Sequence, residues 1–374
     1  MKTKSPINIF KESLLPKGGA YKGGKTTSEV LAKIGKKKIY KLSSNENYLG
    51  SSPKALKAIK NSVSSLSLYP ERTDATLRTE LAKFYGGIFK PEQFLSDNSG
   101  VALLEMIERA FLSPGHEIII CNPAFKPYHM FAKKLGAGVV DVPLKGRNYL
   151  LDIPGILKAI NKKTRLLFLC SPNNPTGTHI PKAQLDELLP QLPGHVVTVY
   201  DEVYYQYADA EDYTTALPYV DAGLNVIAVN SFSKAYGLAG MRIGYGYTTP
   251  ELAQYISQVR IPFHINTLAM EAAKAALQDK AFIKKTVDLV RTEKEYIYSR
   301  LDKLPIKYLK TQANFITLKP KMNDKKLEEA MLLKGIMVRP VANFGAPGCV
   351  RVTIGDREAN QAYLRSLKKV LANG

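Results

Sequence analysis

A chain of 374 residues exceeds what one hydrophobic core usually holds, so two domains are expected, and an apolar fraction of 45% is ordinary for a globular protein. No run approaches the roughly 18 apolar residues of a membrane span, and the N-terminus lacks an apolar signal core, so no membrane association is expected and the cytoplasm is the expected compartment. The net charge of +20 invites a nucleic-acid reading, but without zinc-finger spacing, an aromatic RNA-binding signature or a basic heptad no nucleic acid is expected as a partner.

The charge is uneven. Residues 1–60 carry 14 Lys and no Arg against 3 acids, residues 303–374 carry 14 basic against 5 acidic residues, and the stretch between carries 25 of each. Such a bias is either a solvated basic face or a field that steers an anionic substrate. Cys121, Cys170 and Cys349 lie far apart in strand-like runs. They read as buried thiols in a reducing compartment, with no metal spacing.

In chain order, residues 1–43 are Lys- and Gly-rich and read as an arm contributing to a small domain. Helical patterns at 53–63 and 75–85 follow, then Asp97-Asn98-Ser99-Gly100 opens a helix-like run at 101–112. Apolar runs at 116–121, 165–170, 196–200 and 225–230 alternate with helical patterns at 127–135, 153–161 and 182–190. That alternation predicts an α/β domain, a mostly parallel sheet sandwiched by helices, over residues 44–265. After Pro250 the pattern turns to helices at 251–260, 267–279 and 282–303, then short strands and helices to residue 371. Residues 266–374 are therefore expected to form a smaller α+β domain.

Ligands of parallel sheets sit beyond the carboxyl ends of the strands, where this chain places its polar residues. The run 165–170 leads into Ser171-Pro172-Asn173-Asn174-Pro175-Thr176-Gly177, the run 196–200 into Asp201-Glu202-Val203-Tyr204, and the run 225–230 into Ser231-Phe232-Ser233-Lys234. A lysine just past a buried strand loses solvation and becomes a usable amine, although most lysines in loops are solvated. Ser231, Ser233 and Arg242 are the donors a phosphate monoester needs, and a helix starting at Gly100 and Val101 adds backbone N–H groups. Asp201 after a strand often caps a helix, and Tyr204, Asn174 and Phe125, taken alone, are each more often structural.

The segment Ser231-x-Ser233-Lys234-x-x-Gly237-x-x-Gly240-x-Arg242-x-Gly244 resembles the cofactor-lysine motif of class I/II aminotransferases, pyridoxal-phosphate enzymes of fold type I. SPNNPTG and the strand-end Asp201-Glu202-x-Tyr204 match the family in the same order. The resemblance implies pyridoxal 5'-phosphate as cofactor, an internal aldimine on Lys234, a phosphate contact for Arg242, and Lys234, Asp201 and Tyr204 as catalytic residues. By the same resemblance Asp201 would keep the pyridine nitrogen protonated, Tyr204 and Asn174 would hydrogen-bond the ring's phenolic oxygen, and Phe125 would stack on the ring. It implies a small-molecule amino donor and a 2-oxo acid as substrates and no metal.

Within that family Tyr21-x-Gly23-x-Lys25, Asn45-Glu46-Asn47, Leu68-Tyr69-Pro70 and the run from Val338 to Gly355 are most like histidinol-phosphate aminotransferases. By that likeness Arg351 grips an α-carboxylate, while Tyr21, Asn174 and Arg339 surround the substrate's far end. Tyr69 reaches the cofactor phosphate of a neighbouring subunit in a homodimer with shared sites. Tyr48 stands where the family usually has proline, and Val101 and Ala102 where many relatives have acids. Similar motifs occur in aromatic aminotransferases and in a threonine-phosphate decarboxylase, and a non-catalytic binding protein on the same fold is the reading from another class.

Overall fold

The computed structural model of the chain describes residues 27–35 and 38–372. Helix α1 (Thr27–Ile34) leads to strand β1 (Tyr40–Lys41), and α2 (Pro53–Ser62) and α3 (Ala75–Phe84) precede β2 (Phe94–Asp97) and α4 (Gly100–Phe111). The alternating stretch then runs β3 (Glu117–Ile120), α5 (Pro127–Lys134), β4 (Gly138–Asp141), α6 (Ile153–Ala159), β5 (Thr164–Cys170), α7 (Lys182–Leu188), β6 (Val197–Asp201), α8 (Leu217–Asp221) and β7 (Val226–Ser231). Strand β8 (Gly244–Tyr247) closes it. The four apolar runs become β3, β5, β6 and β7 to within a residue at each end. Strands β2 and β4 have no such run. β4 lies at a sheet edge with both of its ends exposed, so no continuous apolar stretch marks it.

Seven strands form one sheet in the order β2-β8-β7-β6-β5-β3-β4. The pairs among β3 to β7 are parallel, and β8 runs antiparallel to both of its neighbours. Period-two alternation gives the sheet two apolar faces. Ile119, Leu167, Leu169, Tyr200 and Ala228 point to one core, and Ile118, Leu166, Phe168, Val199 and Ile227 point to the other. Helices cover both. α4 and α9 (Pro250–Ser257) lie on the second face, while α2, α3 and α10 (Thr267–Leu277) cover the first. Helix α10 packs on α2, with Ala269, Met270, Ala273 and Leu277 buried beneath the large sheet. This helix follows the expected division at residue 265, yet it lies in the core of the larger unit.

The chain crosses to the smaller unit along α11 (Lys280–Leu301), where Ile283 still touches the large core while Val290, Ile297 and Leu301 sit in the small one. There follow β9 (Lys307–Tyr308), β10 (Phe315–Lys319), α12 (Asp324–Leu332), β11 (Ile336–Met337), β12 (Arg339–Pro340), β13 (Val350–Thr353) and α13 (Arg357–Ala372). Four of these strands make an antiparallel sheet ordered β12-β13-β10-β9, and β11 pairs in parallel with β1. The segment after β1 thus belongs to the small unit: Thr353 N–H donates to the Leu42 carbonyl at 2.8 Å. Among the described residues no helix is long and apolar enough to cross a membrane, and no cluster of His, Cys, Asp or Glu could hold a metal ion.

Candidate active site

The carboxyl ends of β5, β6 and β7 open onto a cavity of about 370 Å³ between the two units. Gly100, Val101, Phe125, Asn174 and Asp201 line it, and so do Tyr204, Ser231, Ser233, Lys234 and Arg242. Arg339 and Arg351 reach it from the small sheet. Two expected residues are not among those lining it. Tyr69 is 86% exposed and lies against Phe263, their ring centroids 5.4 Å apart, and Tyr21 falls outside the described residues.

Alternation at the end of β6 turns Asp201 toward the cavity and Glu202 away from it. Asp201 is buried; its Oδ2 accepts a hydrogen bond from the Tyr128 hydroxyl at 2.6 Å and its Oδ1 one from the Val203 N–H at 3.3 Å. One oxygen therefore caps the following turn, while the other is held by a side chain from α5. Burial pushes the Asp201 carboxyl up to about 6, against the pull of Tyr128, Val203 and Lys234. Glu202 is spent on structure. Its Oε1 accepts from Asn230 Nδ2 at 2.9 Å and the Tyr247 hydroxyl at 2.8 Å, and burial raises it to about 7.

Lys234 is half-buried at the turn after β7, with Nζ 3.3 Å from the Ser44 carbonyl and 5.6 Å from the centre of the Tyr204 ring. Desolvation, then the Arg351 guanidinium, lowers its ammonium to about 8; Glu46 and Asp201 work in the opposite direction. About a tenth of the amine is thus deprotonated at pH 7, far more than for an ordinary lysine, as nucleophilic use requires. Tyr204 accepts from Asn45 Nδ2 at 3.0 Å, and burial raises its phenol well above the usual range.

At one end of the cavity the backbone comes close. Ser99 has φ +122°, a conformation a side chain rarely adopts, and its hydroxyl caps α4 by accepting from the Ala102 N–H at 3.1 Å. Gly100 and Val101 supply N–H groups of the first helical turn, which have no partner within the helix. Gly244 is required opposite them, since a Cβ there would lie 2.3 Å from the Gly100 nitrogen. Ser231 and Ser233 are buried beside this helix end, and Arg242, with φ +56°, stands exposed at its rim. Two backbone donors at a helix N-terminus, two hydroxyls and a guanidinium make a cradle for a phosphate monoester.

The far end is cationic. Arg351 NH1 donates to Asn174 Oδ1 at 2.5 Å and NH2 to the Ser43 carbonyl at 3.0 Å. Arg339 sits directly opposite it in the β12–β13 register. Both guanidinium groups lie over the Phe344 ring, at 6.0 Å for Arg339 and 5.8 Å for Arg351, and Phe344 in turn stacks on Phe125 at 6.1 Å. Like charges directly across a strand pair cost stability, so two arginines here are a place for anions.

Tyr128 and Phe344 carry this geometry and were not singled out from the sequence. Tyr128 follows Phe125 by three residues, across the start of α5, and the two rings meet edge to face with centroids 5.7 Å apart. Phe344 had no signal beyond its place in the run from Val338.

The family model described as aminotransferase class I and II matches residues 37–367. The chain belongs to the class I and II aminotransferases. It is similar to a histidinol-phosphate aminotransferase of Moorella thermoacetica, 40% identical over 94% of this chain and 90% of that one. One of Caldicellulosiruptor saccharolyticus is 36% identical over 94% of this chain and 97% of its own. Among solved structures, the aminotransferase superposes on histidinol-phosphate aminotransferase of Sinorhizobium meliloti in complex with pyridoxal-5'-phosphate, with a TM-score of 0.85, 24% identity and 99% of each chain covered. An aspartate aminotransferase of Thermotoga maritima gives 0.83 at 23% identity, over 92% of this chain and 95% of that one. The fold is that of the type I pyridoxal-phosphate aminotransferases.

Proposed function

We propose that the cavity holds pyridoxal 5'-phosphate and that this aminotransferase moves the amino group of histidinol phosphate to a 2-oxo acid. The observation that carries the substrate is the facing pair Arg339 and Arg351, which gives the far end of the cavity two anion sites. The relatives described as histidinol-phosphate aminotransferases support the same choice.

The residues fit the cofactor. Asp201 is a buried carboxylate that burial has left short of a positive partner, and a protonated ring nitrogen supplies one. The helix start at Gly100 and Val101, with Ser231, Ser233 and Arg242, takes the phosphate, and Phe125 faces the ring. Bound there, the cofactor supplies a carbonyl for the donor's amine and a ring that withdraws electrons from its α-carbon.

The chain does the rest. Lys234 carries the cofactor and then, displaced by the donor, takes the α-proton as a base and returns it on the other side of the transfer. Tyr204 and Asn174 hold the ring oxygen, and Arg351 grips the carboxylate of the 2-oxo acid. Arg339 takes the phosphate of the amino donor. Leu68 and Tyr69 are 70% and 86% exposed, and Tyr69 lies against Phe263; a second copy would cover these apolar side chains. In that homodimer Tyr69 would serve the neighbour's cofactor, and the enzyme would work in the cytoplasm.

Purified protein should absorb in the visible, and borohydride should fix the cofactor to Lys234. Histidinol phosphate with 2-oxoglutarate should turn over faster than any aromatic amino acid, and Lys234→Ala should be inactive. Preference for an aromatic donor would move the assignment to an aromatic aminotransferase. Carbon dioxide release from an amino-acid phosphate would move it to a decarboxylase.

A further inference from the structure

Glu46 is a charged residue of the cavity wall with no part in cofactor or substrate binding as proposed. Its position is closely fixed. The segment before it is anchored by β1 pairing with β11, Tyr40 opposite Ile336 and Lys41 opposite Met337. Asn45 then takes φ +55°, its N–H donating to the Thr353 hydroxyl at 2.9 Å and its side chain to Tyr204 at 3.0 Å. That turn brings the Ser44 carbonyl to 3.3 Å from Lys234 Nζ and sets Glu46 into the same wall. Outside the wall, Lys41 Nζ donates to Glu46 Oε1 at 2.7 Å, the two side chains 33% and 41% exposed.

The charges facing Lys234 come from several elements. Arg351 on β13 and Arg242 before β8 repel its ammonium, while Glu46 and then Asp201 at the end of β6 attract it. Tyr204, the aromatic neighbour, stays protonated because burial raises its phenol. Of the two carboxylates, Asp201 is committed once a protonated ring nitrogen lies against it. Arg242 is likewise committed to the cofactor phosphate, so Glu46 is the carboxylate left to balance Arg351. We infer that Lys41 and Glu46 form a positioning pair for Lys234, in which the Glu46 carboxylate offsets Arg351, and Lys41, by holding that carboxylate outward, limits how much of its charge reaches the amine. No bond is made or broken by the pair. It sets the proton affinity of the nitrogen on which the transfer depends.

The inference rests on Lys234 carrying the cofactor, and not on which amino donor is used. The test is a pH titration of the visible absorbance of the pyridoxal-phosphate-loaded protein, with no substrate present. Glu46→Gln should lower the midpoint and Lys41→Gln should raise it, each by about half to one pH unit, the size expected for a unit charge several ångströms away in a partly solvated site. In the double variant the Lys41 effect should largely vanish, because it acts through Glu46. A Lys41→Gln shift of equal size with and without Glu46 would mean a direct field from Lys41 and would overturn the pairing. An unchanged midpoint in Glu46→Gln, or shifts of the same sign in both single variants, would overturn the inference entirely. Should the protein take up no cofactor, the same variants are compared by the pH dependence of Lys234 acylation in the unloaded chain, read by mass spectrometry. A missing spectrum would then count against the cofactor assignment, while an acylation midpoint that did not move would count against the pair.

Discussion

At the cofactor end of the cavity the side chains come from the ends of adjacent parallel strands, Asp201 on β6 and Ser231 on β7, with Lys234 three residues further. At the substrate end they come from antiparallel strands of a separate sheet, Arg339 on β12 and Arg351 on β13. The first group rides on a sheet buried on both faces, so strand topology places its side chains even where their partners, such as Tyr128 for Asp201, are distant in sequence. The second is brought up by a unit joined to the first through contacts such as Lys294 to Asp209 at 2.9 Å and the Gln312 N–H to the Gly177 carbonyl at 2.7 Å. A site divided this way can keep its chemistry constant while the substrate end changes. Substitutions at the two ends should therefore fail in different kinetic parameters.

The largest effect belongs to the cofactor end. Asp201→Asn keeps the shape and the Tyr128 contact but removes the charge that would hold a ring proton. We expect kcat to fall by roughly 10²-fold or more for every donor alike, about 3 kcal/mol of transition-state stabilisation. A variant that lost activity toward one donor only would break the proposed division of the site.

Next come the arginines. Arg351→Ala should raise KM for the 2-oxo acid, by about tenfold to a hundredfold if one charge-assisted contact is lost. Arg339→Ala should do the same for a phosphorylated donor while a neutral aromatic donor is nearly unaffected. Equal losses for both donors would mean that the two guanidinium groups act as one field. Salt sharpens the point. Of the cations after residue 303, only Arg339 and Arg351 line the cavity; Lys303, Arg365 and Lys368 line a separate groove between α11 and α13. The basic bias of the chain is thus mostly a solvated face at this end. The salt dependence of kcat/KM for the phosphorylated donor should be that of a local pair, weaker than a field from the whole segment would give.

The same contrast governs what could be read from the sequence. Strand ends followed by Asn174, Asp201 and Lys234 stand in short local motifs, and a parallel sheet brings such ends together by its topology. The juxtaposition of Arg339 and Arg351 depends on the register of two strands linked through the turn at 342–344, and no spacing rule fixes it. Tyr128 meets Asp201 across 73 residues, so its hydroxyl carried no signal next to the carboxylate it holds. The division of the chain was blurred for another reason. Helix α10 has the same alternating apolar face whichever core it covers, and only its packing on α2 assigns it. Edge strand β4 escaped notice because exposure had removed the apolar run that marks a buried strand.

Tyr128→Phe tests whether the cofactor end is tuned from behind. Its hydrogen bond holds the Asp201 carboxyl down against burial, so losing it should raise that carboxyl further above about 6. A larger share of Asp201 would then be protonated near neutral pH. Cofactor affinity should fall by about tenfold, the worth of one hydrogen bond to a charged group, and the acid limb of the binding curve should move to higher pH. A uniform loss of affinity with no shift of that limb would assign Tyr128 to packing alone.

The smallest effect is expected in stability. Glu108 lies on α4, two turns beyond the residues at the phosphate cradle; it is fully buried, and among the described residues neither carboxylate oxygen has a hydrogen-bond partner. Burial, with Glu105 one turn away, raises its carboxyl well above the ordinary value, so the folded chain keeps this proton. The unfolded chain releases it above about pH 4.3. Stability contributed by the neutral carboxyl is therefore intact below that pH and is lost as the pH rises toward the folded value. Glu108→Met fills a similar volume without the polar group. It should leave kcat/KM unchanged and raise stability near neutral pH by about 1 to 2 kcal/mol, as removal of a buried unsatisfied group does. Measured by urea unfolding, the gain should shrink as the pH falls and be smallest below about pH 4, where both states hold the proton. A Met variant less stable than the natural protein at every pH would show that the thioether packs worse in this site than the neutral carboxyl, and that packing outweighs the cost of the unpaired polar group.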